Sequence, residues 1–385
     1  MRTASELEWL RVREHLRVHR HPLGISAADG YPSAARLAGT PLLTAPEWIP
    51  AAPLPLDAIT LSLSSDPGQF PAGEAGGGSV PYREDGSRYG RYSQAIRELD
   101  APAIFENRTL YRLVSADLAG PAPRLGFGAG RYFDALDIGT AAAHEYAARQ
   151  HQATEHRATE HRADDGQRRQ HLAAGQPLRE AIGDPCDLSA RPVMMAVATL
   201  TLRVDRDAGT ATFPLHYRDP LKVGHAGGMY QVLPAGIFQP SGEAEWNVGN
   251  DFSLWRGMVR EYAEELLGVP EDHDSERGPI DYAAWPFAGR MTACREAGLI
   301  RTWCVGLGVD PLTFATDLLT VAAFDAPVYD ELFGDLVGVN AEGTVIAARP
   351  FDPTTVAALI ADYPLQAAGA ALLALAIEHA DALLA

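Results

Sequence analysis

Glu261, Glu264 and Glu265 stand at relative positions 0, 3 and 4 within Arg260-Glu261-Tyr262-Ala263-Glu264-Glu265-Leu266-Leu267-Gly268. On a helix, side chains three and four residues apart are neighbours, so these carboxylates would converge on one edge. Like charges held that close repel one another unless a cation sits among them. A hard divalent cation such as Mg²⁺ or Mn²⁺ suits carboxylate oxygens and keeps several of its waters. The plainer reading is a solvated charged face, and the spacing of the glutamates does not separate the two.

The surrounding pattern supplies elements that could position them. Leu254, Met258, Tyr262 and Leu266 recur every four residues, which predicts a helix over 253–267 burying one stripe. Asp251 or Ser253 can cap its start, and Gly268 ends it. Ahead of it, residues 193–204 and 210–217 read as strands around a turn at 205–209, and 229–233 as a short third strand. That strand leads into a loop, Pro234-Ala235-Gly236. Beyond the helix, 303–307 and 318–324 resume strand character, and 351–360 and 367–379 read as helices. The expected fold class is α+β with a mixed sheet.

In order and in type, these residues resemble the Nudix family. They comprise Leu215-His216-Tyr217-Arg218-Asp219-Pro220, then Tyr230-Gln231-Val232-Leu233-Pro234-Ala235-Gly236, Gly242-Glu243 and the glutamate helix. The family's box reads G-x5-E-x7-R-E-U-x-E-E-x-G-U, with U aliphatic. The resemblance spans roughly 191–385 and implies a Nudix-like α/β/α sandwich with a mixed sheet. It makes Gly236 the box glycine, Glu243 the loop glutamate and Arg260 the orienting arginine. Glu261, Glu264 and Glu265 become the metal ligands or acid–base carboxylates, with Glu243 a further ligand. Arg218 and Lys222 would meet phosphate oxygens, and Trp246 or Phe252 would stack on a base or ring, with Trp285 a further candidate. Glu342 is a candidate extra base from a late loop.

The pattern also departs from the box. Six residues (237–242) separate Gly236 from Glu243 where the box has five, and sixteen (244–259) separate Glu243 from Arg260 where it has seven. Asp251, nearer the helix, is the alternative to Glu243. Tyr262 replaces an aliphatic residue, and Leu267 stands where the box has Gly. The implied activity is Mg²⁺-dependent hydrolysis of a nucleoside diphosphate-type or related substrate. The alternative is a sensor of the same fold that binds such a ligand without cleaving it.

Residues 1–150 read as a smaller α+β region, with an amphipathic helix over 1–20 and strands near 57–63, 110–116 and 124–127. The Gly/Pro/Ser-rich stretch 66–90 is expected to be a mobile loop, and Gly126-Phe127-Gly128-Ala129-Gly130-Arg131 a flexible turn. Residues 151–190 read as a charged, helical connector with the repeat Ala-Thr-Glu-His-Arg at 153–162. His151, His156 and His161 are five apart, about 140° around a helix at each step, so they do not share a face. Segments Gly39-Thr40-Pro41-Leu42-Leu43, Tyr132-Phe133-Asp134, His144-Glu145 and 303–335 together resemble an actinobacterial protein family, some members of which carry a helix-turn-helix in front. That second resemblance implies no activity.

Bulk properties bound the rest. The 385 residues are 46% hydrophobic and 21% charged, ordinary for a globular chain. A net charge of −18 repels a phosphate backbone, so no nucleic-acid partner is expected. Cys186, Cys294 and Cys304 form no C-x-x-C pair, which suits a reducing compartment. No window approaches a membrane span, and a cytoplasmic protein with a phosphorylated small-molecule partner is expected. A homodimer is the default for this size.

Overall fold

A computed structural model describes residues 1–64, 79–102, 105–159, 176–218, 227–269, 274–334 and 343–385. The first part of the chain forms α1 (Ala4–Val18), α2 (Arg20–Ala28), β1 (Leu54–Pro55), β2 (Thr60–Leu63), α3 (Tyr92–Leu99), β3 (Thr109–Asp117), β4 (Arg124–Arg131), α4 (Tyr132–Thr159) and α5 (Pro177–Ile182). The second forms β5 (Met195–Asp205), β6 (Thr210–Arg218), β7 (Tyr230–Gln231), β8 (Ala235–Ile237), α6 (Glu245–Asn250), α7 (Leu254–Leu267) and α8 (Pro286–Glu296). It closes with β9 (Ile300–Val309), β10 (Thr316–Asp325), α9 (Ala326–Phe333), β11 (Gly343–Pro350), α10 (Pro353–Asp362), α11 (Ala367–Glu378) and α12 (Ala380–Leu384).

The main sheet runs β1-β9-β10-β5-β6-β11, with β7 on β6 and β8 on β5. Among the described residues, only β10 and β5 run parallel within it, so the sheet is mixed. Its centre is buried on both faces, and the side chains alternate as a pleated strand requires. In β10, Leu319, Val321 and Ala323 enter one core with Leu372, Leu373 and Ala376 of α11. Leu318, Ala322 and Phe324 enter the opposite core with Met258 and Tyr262 of α7 and Phe333 of α9. The fold is therefore α+β, with helices on both faces of a mixed sheet.

A second sheet, β2-β4-β3, belongs to the first part of the chain and is welded to the first. The core holding Met258 and Phe333 also holds Trp9, Trp48, Tyr92 and Phe127. Leu43 and Val309 exchange backbone hydrogen bonds of 2.9 and 2.8 Å, and β1 pairs with β9. Tyr111 N–H donates to the Phe238 carbonyl at 3.2 Å, and Leu113 N–H to that of Val193 at 3.1 Å.

Three expectations are corrected here. The glycine run 126–131 is not a turn but the body of β4, where small residues let neighbours approach. A Cβ on Gly126 would overlap the Ser115 hydroxyl, and one on Gly130 would overlap Leu110 and Arg112. Pro234-Ala235-Gly236 leads straight into β8 rather than forming a loop, because residues 235–237 pair with β5 at Ala196–Ala198. The later part of the expected loop 66–90 packs on α1: Trp9 donates to the Ser79 carbonyl at 2.9 Å, and Tyr89 donates to Glu6 at 2.9 Å. Residues 65–78 lie outside the described residues, as do 160–175 of the expected connector. No helix among the described residues is long and apolar enough to cross a membrane.

Candidate functional site

Helix α7 forms where its sequence pattern places it. The Ser253 hydroxyl caps it by accepting from Arg256 N–H at 3.4 Å. Gly268 stops it in the left-handed region (φ 69°), where a side chain would be strained. Leu254, Met258, Tyr262 and Leu266 are buried, and the Tyr262 hydroxyl meets Thr201 Oγ1 on β5 at 2.7 Å. This anchor fixes the rotation of the helix and so decides where the glutamates point.

They point at β8. The Glu265 side chain is buried, with Oε1 accepting from Ala235 N–H at 3.0 Å. The Glu261 carboxylate lies directly against Gly236, so that a Cβ there would overlap all three of its carboxyl atoms. Two glutamates four residues apart thus meet two consecutive residues of one strand. Glu261 and Glu264 are half-buried.

Arg260 faces the other way, into the protein, and is 1% exposed. It donates to the Gln239 carbonyl at 2.6 Å and lies 3.8 Å from Asp251. Asp251 is fully buried and accepts from Ser241 N–H (2.8 Å), Ser241 Oγ (2.6 Å), Tyr282 (2.8 Å) and Asn250 (3.1 Å). A buried carboxylate needs such compensation. Burial pushes the Tyr282 hydroxyl up, Arg260 pulls it back, and the adjacent carboxylate raises it further, so Tyr282 stays a donor. Asp251, not Glu243, is the acidic partner of Arg260.

Glu243 is engaged elsewhere. Its carboxylate accepts from Thr109 N–H (2.6 Å), Thr109 Oγ1 (2.9 Å) and Arg131 (2.7 Å), clamping the segment after β8 to β3 and β4. Partial burial works against the charge, but these bonds outweigh it and hold the carboxyl below its usual range. The expectation that Glu243 joins the helix glutamates as a metal ligand therefore does not match its placement.

The inserted stretch contains α6, and its aromatics do structural work. Trp246 is 47% exposed and donates to the Ser275 carbonyl at 3.0 Å. Phe252 packs edge-on against Tyr111 (5.0 Å) and Phe127 (5.6 Å) and lies beside Phe238 (5.8 Å). It joins the two sheets, so its expected role as a stacking surface for ligand is corrected to a core contact. Trp285 likewise packs beside Tyr282 and Phe287. Phe252→Ala should destabilise the fold by about 3 kcal/mol, the low end for a Phe→Ala change because this ring is half-buried. A urea-unfolding midpoint unchanged from the wild type would show the ring to be dispensable.

Arg218 ends β6 and is largely buried, its backbone N–H donating to the Met229 carbonyl at 3.0 Å. Lys222 and Glu342 lie outside the described residues.

The site's donors are carboxylate oxygens, the set a hard cation of the Mg²⁺ or Mn²⁺ class takes. Their chemistry fits such an ion at Glu261, Glu264 and Glu265. Among the described residues, no three His, Cys, Asp or Glu side chains are already gathered as a metal-holding group. Fold and site together define an α+β protein with a mixed sheet and a glutamate helix docked on a short strand. No family model matches the chain, and no curated protein matches it.

Proposed function

We propose that this chain is a Nudix-like hydrolase that cleaves a phosphoanhydride in a nucleoside diphosphate-type or related small molecule, with Mg²⁺ or Mn²⁺. The observation that carries this reading is the contact of Glu261 with Gly236 and of Glu265 with Ala235. The box glycine and the glutamate helix are far apart in sequence, and the resemblance requires them to act as one site.

In this reading Glu261, Glu264 and Glu265 hold the cation, which when bound polarises phosphorus and offsets charge on the leaving phosphate. Glu265 is preorganised for this by the Ala235 N–H, which leaves its carboxylate little freedom to turn. One of the half-buried pair, Glu261 or Glu264, accepts the proton of the attacking water. Arg260 is a positioning residue: its bonds to Gln239 and Asp251 fix the helix turn that carries Glu261 and Glu264. Arg218 and Lys222 contact phosphate oxygens as fixed cations.

The test is turnover with a panel of nucleoside diphosphate sugars, dinucleotides and nucleoside triphosphates in Mg²⁺ or Mn²⁺. Hydrolysis should appear with at least one of them and fall by about 10²-fold or more in Glu264→Gln and in Glu265→Gln. Tight binding with no turnover anywhere in the panel would sink the enzyme and leave the sensor.

A further inference from the structure

The main sheet is open at one point near its centre. β5 and β10 lie in the middle of the strand order, where a strand is expected to be buried on both faces. Asp317 of β10, Ala196 of β5 and Ile237 of β8 are nevertheless partly exposed, while Thr316, Leu318, Met195 and Val197 beside them are buried. The register sets the three in one row, Asp317 opposite Ala196 and Ala196 opposite Ile237. By the alternation of a strand they share the face of Leu319 and Ala198, which is that of α11. We propose that this row is the floor of a binding site for a small organic ammonium, its charge held by the Asp317 carboxylate and its apolar body resting on Ala196 and Ile237.

Asp317 makes no hydrogen bond or ion pair among the described residues, although a carboxylate this deep in a sheet is costly without a partner. Burial, and then the charge of Asp310, push its pKa up to about 7. A group that water still reaches, yet that burial shifts so far, stands at the foot of a cleft. One side of that cleft is closed, because β9 contributes Gly308 beside Asp317 and a Cβ there would overlap Leu42. The room lies on the other side, over the single methyl group of Ala196. Charge then selects the ligand. Asp310 adds a second negative field, but its Oδ1 already accepts from Leu312 N–H, Thr313 N–H and Thr313 Oγ1, at 3.0, 2.8 and 2.9 Å. One available carboxylate among apolar groups is a poor set for a hard divalent ion, which takes several oxygens. It suits an ammonium, whose charge offsets both the burial of the carboxylate and the field of Asp310. The glutamates of α7 are across the sheet: Gly236, next to Ile237, turns the opposite face to Glu261.

Propylamine and benzylamine are the probes, each beside its neutral alcohol, titrated calorimetrically into the full chain at about pH 8, where Asp317 is ionised and the amines are cationic. At least one amine should bind, about tenfold or more tightly than the alcohol of the same body. Asp317→Asn keeps the side-chain shape and removes the charge, and Ala196→Val fills the open place with a residue that suits a strand. Each should weaken the amine by about tenfold or more. Glu264→Gln should leave its affinity unchanged, which separates this site from the proposed hydrolytic one. No binding by either amine up to about 10 mM, or equal affinity in either cleft variant, overturns the proposal. So does an alcohol that binds as tightly as its amine, a comparison that needs no variant to fold.

Discussion

Gly236→Ala should lower turnover by about 10²-fold with little change in thermal stability, the loss typical of a reacting group displaced by about an ångström. The cause is space rather than backbone freedom. A methyl group at 236 would occupy the volume of the Glu261 carboxyl atoms, so Glu261 must swing off β8. Gly236 is partly exposed and sits at the sheet's inner edge, which lets the fold absorb that movement. A double-mutant cycle makes the assignment specific: Gly236→Ala added to Glu261→Ala should cost nothing more, because the colliding group is gone. Wild-type turnover in Gly236→Ala, or fully additive losses in the cycle, would show that this contact does not organise the site.

That contact also marks how far the sequence could be read. The helix at 254–267 was legible because its buried stripe, N-cap and C-terminal glycine all agree. The strands at 195–205 and 316–325 were legible from dense β-branched and apolar runs, which central strands need. Which face the glutamates would take was not legible, because it depends on Thr201 gripping Tyr262 across 61 positions of chain. Glu243 misled for a related reason. Its neighbour in space is Thr109, 134 positions earlier, and no local pattern announces such a pairing. The glycines of β4 read as a turn because glycine's local preference points that way. Only the crowding of Ser115, Leu110 and Arg112 against them explains a strand.

The same long-range packing creates an acid-sensitive point in the core. His144 is 6% exposed and stacks on Trp9 at 5.6 Å, and its Nδ1 lies 3.1 Å from the Tyr92 hydroxyl, which Arg13 also contacts. Burial, and then the charge of Arg13, hold its pKa down to about 3 against an ordinary 6.5. The folded state therefore keeps His144 neutral while the unfolded chain takes up a proton below pH 6.5. The resulting stabilisation is complete above pH 6.5 and is lost as pH falls from 6.5 toward 3. At 1.36 kcal/mol per unit, it amounts to about 2 kcal/mol lost by pH 5.0. The adjacent Glu145 acts in the opposite sense: burial raises its carboxyl pKa, so acidification favours the fold at that position. Only a difference between variants isolates the histidine. His144→Phe keeps an aromatic ring against Trp9 and gives up one hydrogen bond, costing about 1 kcal/mol at pH 7.5. Between pH 7.5 and 5.0 the wild type should lose about 2 kcal/mol more unfolding free energy than His144→Phe, read from urea transitions at both pH values. Parallel pH dependences in the two proteins would mean that His144 is protonated in the fold at no cost, and that Trp9, Tyr92 and Arg13 do not enclose it.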